Sequence, residues 1–372
     1  MTTVQKKEAP PIAGRVASID FFRGFTMFLL IGESTGFFGC IGEVNNGFFK
    51  FLAEELEHHE WHGLHFWDLI QPFFMFIVGV AIPFAVANRK KKGDSDSTIL
   101  KHARQRSFLL LMLGWILYNE GNDHIGFRLQ NVLAQLSVTY IVAFLIQKKN
   151  FNFQLIFTLV VLLLVDLAYR FFPVEGFNQP WEPHHNLGAW VNSLIEGTPE
   201  TSIWATFNAI PTIAHTVWGV LCGKLLMSNK SQEEKIKTLI IAGIAALVIG
   251  FGLDLANITP IIKKIATASF VFASGGWAIL ALAFSYWLID VKGKFEKGAK
   301  PFVIVGMNCI FIYLFFHVGG AEILTKLVTP FVNSLLGWMG TVTAHFLISG
   351  SVWAAMWYIC YWMYKNKIFV KI

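Results

Sequence analysis

The sequence predicts an all-α, polytopic membrane protein with about ten transmembrane helices, at roughly 20 residues per bilayer crossing. Three observations carry this. Of 372 residues, 55% are hydrophobic and only 15% charged, with a mean hydropathy of +0.53. A soluble domain has about a quarter of its residues charged, and a surface made from this composition could not be kept hydrated. The apolar residues also fall into long runs, and Lys and Arg collect in alternate loops between them, as they do in membrane proteins. A soluble enzyme, a disordered chain, a collagen and a disulfide scaffold are all excluded. Cys40, Cys222, Cys309 and Cys360 sit in apolar stretches without metal-ligand spacing and carry no information on redox compartment.

The first apolar run, 17 to 40, follows a short polar segment, 1 to 12, that lacks the layout of a cleavable leader, so the N-terminus is expected to stay on the chain. Runs at 66 to 88, 105 to 119, 129 to 147 and 152 to 172 give the next crossings. Those at 206 to 227, 238 to 256, 266 to 290, 301 to 318 and 341 to 364 complete the set. The stretch 321 to 338 is interrupted by Pro330 and reads as too polar to span. A single transmembrane domain, 1 to 372, accounts for the whole pattern.

Orientation follows from the basic residues. With the N-terminus cytoplasmic, the inner segments hold 23 of the 30: Lys6, Lys7 and Arg15, the group from Arg89 to Arg106, Lys148 and Lys149, those from Lys224 to Lys237 and from Lys292 to Lys300, and Lys365, Lys367 and Lys371. Six fall in outer segments and Arg23 lies inside the first helix, which predicts both termini on the cytoplasmic side. The charge behind the pI near 9.0 is divided among loops and not gathered on one face, so nucleic acid is not a partner. The outer loops are acidic and aromatic: 41 to 65 carries five glutamates with four histidines, and 173 to 205 carries Trp181, His184, His185, Trp190 and Glu196. Such loops suit a polar, sugar-like ligand arriving from outside, and suit an aromatic belt at the membrane interface equally well.

Ionisable side chains within apolar spans are costly and mark function. Asp20 and Arg23 are three apart on one helix face, the spacing of a structural ion pair. Glu33, in the run FLLIGESTGFF, has no local partner and points to a polar cavity in the outer half of the first helix. The densest signal is HHEWHGLHFWDLIQPFFMFIVG, 58 to 79. His58, His62 and His65 recur at helical spacing, but the order is not HExxH, Gly63 weakens a helix and no further ligand is placed nearby, so no metal is expected. The competing use is a histidine general base or nucleophile at the outer mouth of the second helix, with Asp68 and Gln71 a turn or two deeper to orient it.

The motif series resembles one family. RVASIDFFRG (15 to 24), the HxxWxG of His58, Trp61 and Gly63, then Asp68, Pro72 and FIVGVAIPF are similar to the heparan-alpha-glucosaminide N-acetyltransferase family. So are RLQNVLAQLSVTY (128 to 140), NAIPTIAHTVWGVLCGKLL (208 to 226), the block 258 to 290, PFVIVGMNCIFIYLFFH (301 to 317) and the closing KNKIFVKI. The resemblance implies a bacterial membrane enzyme that takes an acetyl group from cytoplasmic acetyl-CoA and delivers it to an amino sugar on the far side. It ties acetyl transfer to His58, as general base or as acetyl carrier. Two departures bear on the acceptor: an asparagine of the lysosomal enzymes falls at Glu33 or Ser34, and the arginine that follows Gln135 in the family is Leu136.

On this basis Glu33 or Asp68 orients His58. Arg89 to Lys92 with Arg104 and Arg106 hold the CoA phosphates, and Arg23 is grouped with the donor side. Arg128, Gln135, Asn308 and His317 line the thioester cavity, with Asn308 or His317 placed to stabilise an oxyanion. Trp61, His62, Trp181 and His184 meet the acceptor. The partners are the bilayer, acetyl-CoA and a sugar or glycan, and the expected location is a bacterial inner membrane. The 321 to 338 segment and the Trp-rich last helix offer surfaces for a homodimer. The alternatives are an O-acetyltransferase for an exported glycan and a proton-coupled transporter of a sugar or organic acid.

Overall fold

A computed structural model describes residues 16–121, 123, 125–196, 202–370 and 372. Lys6, Lys7, Arg15 and Lys371 of the basic-residue pattern, and the segment 1 to 12, lie outside the described residues. Among the described residues the chain forms fifteen α-helices and no strand.

Helix α1 (Ala17–Ser34) stops where Thr35 and Gly36 turn the chain, with Gly36 at φ +74°, and short α2 (Phe37–Gly42) follows. The run expected at 17 to 40 is therefore two helices. The Asn46 side chain accepts the Phe48 N–H at 2.9 Å and starts α3 (Gly47–Glu55). After the loop 56 to 65, a 3-10 turn, Phe66–Leu69, leads into α4 (Ile70–Lys91). Helix α5 (Asp96–Tyr118) is capped by Ser95 and begins earlier than its apolar run. Asparagines cap the next two, Asn131 for α6 (Val132–Ile146) and Asn150 for α7 (Phe151–Arg170). Then come α8 (Leu187–Glu196), α9 (Ile213–Met227) and α10 (Gln232–Leu255), the last opened by a Ser231 and Glu234 capping box.

Helix α11 (Ala268–Ser285) runs into a π-helical turn, Tyr286–Val291, that aims Asp290 at the start of α1, where its carboxylate accepts the N–H groups of Ala17 and Ser18 at 2.9 and 3.0 Å. The span expected at 301 to 318 is α12 (Glu296–Met307) and α13 (Cys309–His317), bent by 64° at Asn308. Helix α14 (Gly320–Leu336) runs unbroken through Pro330, contrary to the interruption expected. Its Ile323, Leu327, Phe331 and Leu335 recur every fourth residue on one exposed face, so the helical period holds despite the proline. The last helix is α15 (Thr341–Lys365).

Among the described residues, six stretches are long and apolar enough to cross a bilayer: Phe66–Lys91, Phe151–Arg170, Thr206–Met227, Gln232–Leu255, Ala268–Val291 and Thr341–Lys365. The bent α12 and α13 pair would make a seventh. The count falls below ten for a compositional reason: α1 carries Asp20, Arg23 and Glu33, α5 carries Lys101, Arg104 and Arg106, and α6 is only 15 residues long. These three still pack within the bundle, α1 against α12 and α4, and α5 against α6.

Small residues let the helices approach. A Cβ on Gly79 would lie 2.0 Å from the Thr216 carbonyl oxygen, and one on Gly219 would lie 2.1 Å from that of Phe76, so α4 and α9 meet backbone to backbone. Gly24 and Gly306 do the same for α1 and α12. At one end of the bundle the segments 56 to 65, 171 to 186, 202 to 205 and 256 to 267 gather. At the other, Lys148 Nζ donates to Asp96 at 2.7 Å and Lys224 Nζ to the Lys149 carbonyl at 3.0 Å.

Candidate active site

The loop 56 to 65 is built around one carboxylate. Asp68 lies in the 3-10 turn before α4, and its Oδ2 accepts the backbone N–H groups of His65 at 3.0 Å and His59 at 3.3 Å. That caps the turn and folds the loop back over it. The second oxygen, Oδ1, then stands 2.9 Å from Nδ1 of His58. The Asp68 side chain is 1% exposed while that of His58 is 41% exposed, so the pair has one sealed end and one open end.

A second loop closes on the first. The N–H of Gly63 donates to the Ile261 carbonyl at 2.9 Å. Asp254 Oδ1 is 2.7 Å from His62 Nε2 and accepts the Ile261 N–H at 2.8 Å. Gly63 sits at φ +147°, and a Cβ there would lie 2.4 Å from Nε2 of His59, which gives the glycine of HxxWxG a steric reason. This pairing brings Lys263 to His58: its Nζ lies 3.1 Å from His58 Nδ1 and 3.5 Å from Asp68 Oδ1, with the side chain only 7% exposed. The neighbouring Lys264 donates to the Glu60 carbonyl, and both ammonium groups lie over the Trp204 ring, at 5.6 and 5.8 Å.

His58, Lys263, Trp204, Glu33, Gln71 and His317 line one cavity of about 340 Å³, whose other walls are Leu30, Trp67, Ile70, Phe74, Gln130, Val132, Tyr313 and Phe316. Nδ1 of His58 is taken up by Asp68 and Lys263, which leaves Nε2 as the nitrogen available to the cavity. Burial holds the His58 imidazole below its ordinary value; the Asp68 carboxylate pulls it up, and the Lys263 ammonium pushes it down again. Burial also brings Lys263 down to about 8, against the pull of Asp68 and with help from Lys264. A neutral imidazole with its open nitrogen in a largely apolar cavity is suited to take a proton or to attack an electrophilic carbon.

The other candidate residues divide into three groups. Glu33 and His317 line the cavity with His58; His317 is held by its Nδ1, 3.0 Å from the Tyr313 carbonyl. Gln135 stands one residue behind the wall, where the Gln71 side-chain amide donates to it, and Arg128 is buried outside the lining. Trp61, Trp181, His62 and His184 belong to the loops at this end and do not line the cavity. Trp61 Nε1 donates to the Trp181 carbonyl at 2.7 Å, Trp181 covers the Arg170 guanidinium at 5.2 Å, and His184 sits at φ +63° in the same loop.

Asn308 faces elsewhere. Fully buried at the α12 to α13 bend, its Nδ2 donates to the Ile368 carbonyl and its Oδ1 accepts the Val370 N–H, both at 3.0 Å, so it clasps the C-terminal segment. Arg23 is bound to Asp20 at 3.0 Å, as the i,i+3 spacing allowed. The histidines of the HxxWxG loop diverge, His58 to Asp68, His62 to Asp254 and His65 to the Glu57 carbonyl, and among the described residues no group of His, Cys, Asp or Glu is arranged to hold a metal.

A second cavity of about 340 Å³ lies at the opposite end of α4 and α6, lined by Arg89, His102, Gln105, Arg106 and Tyr140, with the Arg106 guanidinium 4.9 Å over the Tyr140 ring. Arg104 is exposed and is not part of its lining. Both cavities use the same helix pair. Phe74 of the first and Ile82 of the second are separated by about 12 Å of helical rise along α4.

Sequence reasoning did not single out Lys263 and Trp204. The signal for Lys263 was an adjacent pair of lysines in an outer loop of a chain that otherwise sends its basic residues inward.

Among curated proteins, the chain is similar to the heparan-alpha-glucosaminide N-acetyltransferase of Mus musculus, 27% identical over 97% of this chain and 61% of that protein. It is also similar to the human protein of the same name, 24% identical over 96% of this chain and 60% of that protein. The chain thus spans about three-fifths of the length of the curated relatives it matches. No protein-family model matches the chain. The two similarities support the family that the motif series indicates.

Proposed function

From its kinship with the heparan-alpha-glucosaminide N-acetyltransferases, we propose that this chain is a membrane acetyltransferase that moves an acetyl group from acetyl-CoA to an amino sugar or glycan. His58 is its general base. The observation that carries this is the 2.9 Å contact between His58 Nδ1 and Asp68, which leaves Nε2 available to the cavity. Asp68 orients the ring and stabilises the positive charge that forms when Nε2 takes a proton.

In the proposed reaction, Nε2 removes a proton from the acceptor amine as its nitrogen attacks the thioester carbonyl. The positive charge of Lys263, behind the imidazole on the same cavity, favours the tetrahedral oxyanion at a distance. Collapse breaks the C–S bond, and the CoA thiolate leaves with the proton that His58 had taken. The inner cavity of Arg89 and Arg106 suits the phosphates of the donor, and its alignment with the His58 cavity along α4 and α6 suits an extended pantetheine arm. In this account the His58 end faces out of a bacterial cytoplasmic membrane and the Arg106 end faces in.

Protein in nanodiscs with labelled acetyl-CoA tests the reaction. Label is expected on glucosamine-terminated sugars, with CoA thiol released only when acceptor is present. Sugar uptake into sealed vesicles without CoA release would make the chain a transporter instead. Acetylation confined to acceptor on the Arg106 side of oriented vesicles would overturn the sidedness.

A further inference from the structure

Lys263 occupies an unusual place for a lysine. Long cationic side chains beside a membrane reach outward to water, keeping only their stems buried. Lys263 cannot, because its loop is fixed on both sides. The Ile261 carbonyl takes the Gly63 N–H at 2.9 Å, the Lys264 carbonyl takes the Ala205 N–H at 3.0 Å, and Asn208 Nδ2 donates to the Lys264 carbonyl at 2.6 Å. The ammonium is therefore held inside, against the protected edge of the His58 ring.

We infer that Lys263 is a positioning residue that keeps the His58 imidazole neutral and, together with Asp68, fixes Nε2 as the lone-pair nitrogen facing the cavity. The inference rests on the reading of His58 as the base. The chemistry of one nitrogen supports it. Nδ1 can carry a proton and donate to Asp68, or carry a lone pair and accept from Lys263, but not both. Asp68 at 2.9 Å favours the proton on Nδ1, and Lys263 can then turn its own hydrogens to Asp68 Oδ1 at 3.5 Å. In that arrangement all three groups are compatible and Nε2 is free of hydrogen. A doubly protonated imidazolium would instead set its charge beside an ammonium 3.1 Å away.

The other charged or titratable groups near His58 do not replace Lys263. Lys264 has the same sign and is committed to the Glu60 carbonyl, while Glu33 and His317 lie on the other walls of the cavity. His59 and His65 meet edge to face, ring centres 4.7 Å apart, within the loop.

The test uses the full chain in nanodiscs and two readouts. The first is the rate of His58 modification by diethyl pyrocarbonate, followed by peptide mass spectrometry across pH. The reagent attacks neutral imidazole, and acetyl transfer is not needed. The wild-type midpoint is expected below the ordinary histidine value of about 6.5. Lys263→Met should raise it by about one pH unit and Lys263→Arg should leave it near wild type. The second readout is the acidic limb of the acetyl-transfer rate, which should move with the first.

A wild-type midpoint at or above the ordinary value overturns the inference whether or not any variant folds, and so does an unchanged or lowered midpoint in Lys263→Met. Modification midpoints that shift as expected in a protein with no acetyl transfer would uphold the role of Lys263 and overturn the proposed reaction.

Discussion

Nδ1 of His58 lies 2.9 Å from Oδ1 of Asp68, ten residues along the chain, while the other oxygen of the same carboxylate accepts the N–H groups of His59 and His65. One buried side chain therefore does two jobs. It caps the turn that starts α4, and it holds the imidazole by the nitrogen that the reaction does not use.

Substituting that carboxylate separates the two jobs. Asp68→Asn keeps the volume and presents an amide N–H to Nδ1 if its oxygen stays on the backbone donors, which turns the wrong tautomer toward the cavity. Acetyl transfer is expected to fall by about 10²- to 10⁴-fold, as when an orienting carboxylate is lost elsewhere. Thermal stability should fall by only about 1 kcal/mol, the scale of one weakened cap. CoA thiol release and a melting curve on the same sample check both.

Gly63→Ala should act through backbone strain. At φ +147° a side chain is disfavoured, and its Cβ would meet the His59 ring. A cost of about 1 to 3 kcal/mol is expected, with His58 displaced along with the loop. The check is a lowered melting midpoint together with a lower maximal rate.

Asn308→Ala discriminates between two roles. The sequence placed Asn308 at the thioester, whereas the structure has it clasping Ile368 and Val370. Loss of those bonds should cost about 1 to 3 kcal/mol of stability and leave the KM for acetyl-CoA unchanged. A raised KM in a protein of normal stability would return Asn308 to the donor site.

The inner cavity has its own signature. Arg106→Ala and Arg89→Ala should each raise the KM for acetyl-CoA by about tenfold, the effect of one lost charge-assisted bond. Neither should alter the weaker reaction with a short acetyl thioester that has no phosphates. Steady-state kinetics with the two donors makes the comparison.

Much of this site could be read from residues in order. His58 and Asp68 sit in one motif, and the apolar runs located most of the long helices. What escaped were contacts made by distant chain: Lys263 is 205 residues from the histidine it touches, and only the fit of the loop 256 to 267 against Gly63 brings it there. The bonds of Asn308 to Ile368 and Val370 escaped for a similar reason. A buried asparagine at a helix bend has the same sequence signature whether it faces a cavity or a returning strand of chain. Trp61 and Trp181 were read as acceptor contacts because aromatic side chains suit sugars; their bond to each other and the stacking of Trp181 on Arg170 were not legible in the sequence.

The most direct measurement is single-turnover acetyl transfer by His58→Ala, in nanodiscs, with labelled acetyl-CoA and a glucosamine-terminated acceptor. The expected rate is at least about 100-fold below wild type with donor binding intact, since only the base is lost. Transfer by His58→Ala at the wild-type rate would contradict it.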